Sequence, residues 1–147
     1  MNIIDEITNI FLLSNEEEKE RSIEKIGDLF EYDDSLDKSE VIEGVNLLLS
    51  NVVFENNTSL KESILHTVNN AIVYKDIAGD VLLDVLLPFC SSFEVEDLLY
   101  VLSFFGFSGN EKYLSILNSY LKHPNAEIHE AAQEAITELE FRSFKKK

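Results

Sequence analysis

Apolar residues recur every three to four positions along nearly the whole chain, with polar residues between them. That is the period of an amphipathic helix, and it restarts eight times. The first stretch covers about residues 2–13, with Ile3, Ile7, Ile10 and Phe11 on one face. Ser14 offers an N-cap, and Glu16, Glu17 and Glu18 suit the positive end of the next helix dipole. That second helix runs to about Phe30, facing inward with Ile23, Ile26, Leu29 and Phe30. The loop 33–37 follows, and a third helix to about Phe54 uses Val41, Ile42, Val45, Leu48, Leu49 and Val52. After Asn56-Asn57-Thr58, Ser59 and Glu62 read as a capping box for a fourth helix carrying Leu60, Ile64, Leu65, Val68 and Ile72.

A fifth helix is predicted over about 76–87, ended by Pro88. A sixth runs from about Phe93 to Phe105, closed by Gly106. Asn110 caps a seventh with Tyr113, Leu114, Leu117 and Leu121. His123-Pro124-Asn125 turns into an eighth with Ile128, Ala131, Ala132, Ala135, Ile136 and Leu139. The basic end, 142–147, is expected to fray. Connections are short, so consecutive helices should lie antiparallel as neighbours within one domain, 1–147.

The even-numbered helices superpose. Leu65 and Val68 map onto Leu99 and Leu102 thirty-four residues on, then onto Ala132 and Ala135 thirty-three further; Ile26 and Leu29 lie thirty-nine before. Two helices per period of this length is the mark of a stacked helical array. The stretch 123–136 (His-Pro-Asn-Ala-Glu-Ile-His-Glu-Ala-Ala-Gln-Glu-Ala-Ile) resembles HEAT repeats, as does the turn 106–110 before it. His129 stands where that family prefers Arg. The resemblance implies an all-α, right-handed α-solenoid of about four antiparallel pairs.

Charge changes the picture most. Asp and Glu number 28 against 12 Lys and Arg, for a formal net charge of −16. Nucleic acid and anionic membrane surfaces would be repelled, whereas a basic protein would be attracted and its approach accelerated. The single cysteine, Cys90, sits in an apolar run and reads as inert core; with no intramolecular disulfide possible, a reducing cytoplasm is the expected location. The first residues lack the basic start of a signal peptide.

The sequence offers little for chemistry. The five glycines form no phosphate loop, and no zinc spacing is present. His123, Glu127 and His129 read as polar turn residues. Asp33, Asp34 and Asp37 lack the spacing of a calcium loop. No cofactor, metal, small-molecule substrate or catalytic residue is expected.

The resemblance implies that the second helix of each pair lines a concave face. The positions opposite its core are Glu62, His66, Asn69 and Asn70, then Glu96, Tyr100, Ser103 and Phe104, then His129, Gln133, Thr137 and Glu140. The second helix adds Glu17, Glu20, Glu24 and Asp28. Tyr100, Phe104 and Phe107 are candidate anchors within an acidic rim. Size, charge and array together are similar to bacterial toxin-immunity proteins, including those of contact-dependent inhibition. That resemblance implies an antitoxin that occludes the active site of a basic toxin, such as a nuclease. The alternative is a HEAT-like scaffold or adaptor holding a peptide or subunit in its groove.

Overall fold

The structure, a computed structural model, describes residues 2–146. It is all-helical, with no strand among the described residues. The α-helices are α1 (Ile3–Phe11), α2 (Glu16–Tyr32), α3 (Lys38–Val52), α4 (Thr58–Lys75), α5 (Val95–Ser108), α6 (Leu114–Ser119) and α7 (Ala126–Lys146). A 3₁₀ helix covers Leu83–Ser92, and shorter 3₁₀ turns flank α6 at Glu111–Tyr113 and Tyr120–Lys122.

Asparagine and aspartate, rather than serine, start five of these seven helices. Asn2, Asn15, Asp37 and Asn57 each accept a backbone N–H with the side-chain oxygen, as Asn125 does for α7. The Ser14 cap and the Ser59–Glu62 capping box are therefore corrected by one and two residues. Ser59 is freed to donate to Glu20 on α2 instead.

The predicted fifth helix is also corrected. Asp76 closes α4 in the left-handed region, at φ 51°, and the turn at Gly79-Asp80 breaks the chain before a helix can form. The 3₁₀ segment that follows contains Pro88 instead of ending there. Proline's missing N–H costs less in a short 3₁₀ run than inside an α-helix. Tyr113 donates to Asp84 at 2.6 Å and Lys112 at 3.0 Å, tying this segment to the turn before α6.

Contacts place α2 against α4, α4 against α5, and α5 against α7 in a row, while α1 packs on α3 and α3 on the 3₁₀ segment. One core runs through both sets, from Ile3 and Ile7 through Phe30, Leu48 and Leu65 to Phe105, Leu117 and Leu139. Each such side chain, fully buried, contributes about 1.5–3 kcal/mol. Within the row, α4 sends a ladder of polar side chains onto α2. Ser59 and Ser63 donate to Glu20, Thr67 to the Ile23 carbonyl, and Asn70 to the Gly27 carbonyl.

The helix α5 runs three residues beyond the expected stop, because Gly109 supplies the left-handed cap, at φ +63°. Gly106 lies inside the helix and lets α7 approach. A Cβ there would stand 2.8 Å from the Ala135 carbonyl oxygen and 2.9 Å from its Cα. The basic end does not fray at its start. Ser143 is buried and donates to Glu111, while Arg142 pairs with Glu138 and Asp76 and lies over the Phe107 ring. Lys147 lies outside the described residues.

Gly106→Val is expected to destabilise the chain by about 2 kcal/mol, since the added atoms meet backbone that cannot rotate away. A fall of several degrees in Tm by circular dichroism checks it; an unchanged Tm contradicts the α5–α7 contact.

Candidate functional site

The exposed side of the α2–α4–α5–α7 row carries most of the residues picked from the sequence, but not all. Glu62, His66 and Glu96 are exposed there, and Asn69, Tyr100 and Ser103 are half-buried. Phe104 is 0% exposed and belongs to the core, so it anchors nothing from outside. A row helix buries two flanks as well as its inner face, and Phe104 lies on a flank. Asn70 is buried, with its amide on the Gly27 carbonyl, and serves the α2–α4 contact.

On α7 the facing positions are corrected. Its wall of the groove beside α5 is Glu127, Glu130, Ala131, Glu134 and Glu138. Gln133 and Thr137 line a separate depression with Phe141. His129 points back to the Leu121 carbonyl. The helix closes the row, so the positions opposite its core look outward, not along the face. Its groove-facing positions are those turned toward α5, which required knowing the neighbour.

Two depressions mark the row. One, of about 370 Å³, lies between α2, α4 and α5 and is lined by Glu20, Glu24, Ser59, Glu62, His66 and Tyr100, with Ser63 at its wall. The serine hydroxyls orient Glu20, at 2.6 Å from Ser59 and 3.1 Å from Ser63, without cancelling its charge. The His66 and Tyr100 rings lie 6.3 Å apart, and Tyr100 stacks on Phe104 at 6.5 Å. The core thus holds Tyr100 from beneath while its outer face lines the depression. The second, of about 490 Å³, lies between α5 and α7, with Leu99, Ser103 and Phe107 opposite the α7 carboxylates. Leu99 is half-buried: it packs against the core and also lines this groove, while Leu98 is fully inside.

The charge on this side is poorly compensated. Among the described residues, no ion pair involves Glu20, Glu24, Glu62, Glu96, Glu127, Glu130 or Glu134. Asp97, in the first turn of α5, is 3% exposed. Burial pushes its carboxyl up; Lys61 pulls it down, and Glu62, Glu96 and Glu94 push it up again. Burial also raises the Tyr100 hydroxyl, as do Glu62 and Asp97. Like charges gathered without partners cost folding energy, and such costs concentrate where a partner later relieves them.

Elsewhere the chemistry is quiet. Burial pushes the Cys90 thiol up to about 11, and it donates to the Leu86 carbonyl. No group of three His, Cys, Asp or Glu among the described residues is placed to hold a metal ion. No described helix is long and apolar enough to cross a membrane. No protein-family model matches the chain, nor does any curated protein or solved structure.

Two outcomes follow from these groups. An Asp97 carboxyl held above its ordinary range destabilises the fold progressively as pH rises through the unfolded and then the folded value, and not below both. Asp97→Asn should therefore stabilise near neutral pH and do so less near about pH 4; urea unfolding at both conditions reads this, and an equal change at both contradicts it. Cys90, with a thiolate fraction of roughly one in a thousand near pH 8, should resist alkylation in the native protein and react fully in denaturant. Rapid native labelling, seen by mass spectrometry, would place it at the surface.

Proposed function

We propose that this chain is a protein-binding module whose acidic face captures a basic protein, and that it acts as an immunity or antitoxin protein, covering the active site of a basic toxin. One observation carries the reading. Carboxylates of α2, α4, α5 and α7 share one side of the molecule without counter-ions, around the His66–Tyr100 pair. Such a surface is costly alone and favourable against cations. It would speed encounter with a positive cleft, and desolvated contacts at Tyr100 would slow release. On the same reading, the two sets of helices are the inner and outer layers of a right-handed HEAT-like α-solenoid. The order of contacts along α2, α4, α5 and α7 supports this. The setting expected for the pair is the bacterial cytoplasm.

The apolar floor between α5 and α7 favours a second reading, a scaffold holding a peptide or subunit in that groove. Salt separates the two, because charge-led capture weakens as ions screen it and apolar capture does not.

The test uses the tagged chain as bait in lysate of its own source cells. One basic protein should be retained one-to-one at low salt and released at high salt. It should be toxic when produced without this chain. Glu62→Lys with Glu96→Lys should lose it while keeping the helical spectrum and Tm. Undiminished capture by that double variant would overturn the acidic-face reading, and salt-insensitive retention of a larger assembly would favour the scaffold.

A further inference from the structure

The groove between α5 and α7 differs from the acidic depression beside it, because its floor is apolar. Leu99 and Phe107 rise from α5, and Ala131 and Ala135 from α7. The two alanines keep the α7 wall low. The Gly106–Ala135 approach closes one end, and Arg142 lies over Phe107 there. Above the floor, Glu127, Glu130, Glu134 and Glu138 form a single line along α7. Glu138 is paired with Arg142; the side chains of the other three have no hydrogen bond or ion pair among the described residues.

We propose that this groove takes an amphipathic, lysine- and arginine-bearing helix of the partner protein. The inference rests on the reading above as to the partner's charge, and adds which part of it is held and how. Charge complementarity sets the sign of the occupant, and geometry sets its conformation. Steps of three, four and four residues place the carboxylates about 4.5–6 Å apart along the α7 axis. A second helix alongside α7 presents cations at i, i+3, i+7 and i+11 with the same steps, so each can meet a carboxylate in turn. An extended segment presents same-face side chains about 6.6 Å apart and drifts out of step within three residues of one face. The Leu99–Phe107 floor spans a little over two helical turns, which fits apolar anchors at i, i+4 and i+7 on the occupant. The cations would then lie over the α7 line and the anchors between the two walls, as in other helix-in-groove complexes.

The probe is a synthetic peptide of about 18 residues, roughly five helical turns, with leucines at helical spacing and lysines beside them. Its control is a scrambled isomer of identical composition. The full chain should bind the ordered peptide at least about tenfold tighter than the isomer, with helical circular dichroism gained on mixing. Glu130→Lys with Glu134→Lys should weaken binding by about tenfold or more and flatten its salt dependence. Ala131→Gln, which fills the floor without changing charge, should abolish the preference for the ordered peptide. Equal binding of the two isomers, or a preference that survives Ala131→Gln in a folded variant, would overturn the proposal. Failure of the peptide beside salt-sensitive capture of a basic protein would sink the groove helix and leave the acidic-face reading standing. Peptide binding without any basic partner would do the reverse.

Discussion

The close seating of α7 on α5 determines the shape of the groove at the α7 end of the row. It depends on Gly106, whose missing side chain lets the Ala135 backbone within reach. With that approach, Leu99 and Phe107 become a floor and the α7 glutamates a wall. Without it, the same residues would be scattered surface positions on two separate helices. At the other end of the row, the polar ladder from α4 onto α2 plays the matching part, fixing Glu20 and Glu24 beside Glu62.

Packing and charge pull against each other across this surface. The core is continuous from α1 to α7 and supplies the stability. The exposed side of the row spends part of it by gathering carboxylates, one of them the buried Asp97, whose neighbours are mostly of its own sign. A few acids are paired: Asp84 accepts from Tyr113 and Lys112, and Asp76 and Glu138 meet Arg142, the last of them at one end of the α5–α7 groove. On the proposed reading, it is the gathering of carboxylates around two depressions, more than total charge, that suits this side to a cationic partner.

Much of the helical layout was legible in the sequence, because helical period is a local signal and five of the α-helices run to fourteen residues or more. Local chemistry misled where two residues could serve the same end. Ser14 and Ser59 looked like caps, yet Asn15 and Asn57 lay beside them. Gly106 reads as the stop, yet Gly109 three residues on is the left-handed cap, and Gly106 is there for the close contact with α7. The surface was harder. Positions opposite a helix's core face solvent only if no neighbour covers them, and sequence gives no view of neighbours. Phe104 therefore reads as an outer position and is buried, while Leu99 packs against the core and still reaches the groove. Glu127, Glu130 and Glu134 could have been found from their shared stripe, had α7 been read as turned toward α5.

Carboxyl footprinting tests the central claim most directly. Carbodiimide coupling of a neutral amine labels accessible glutamates, and the labelling is compared with and without the captured partner. The account expects Glu20, Glu24, Glu62, Glu96, Glu130 and Glu134 to lose labelling in the complex, while Glu6 on α1 and Glu43 on α3 keep theirs. Protection of Glu6 and Glu43 with the row glutamates still labelled would put the partner on the opposite side and contradict it.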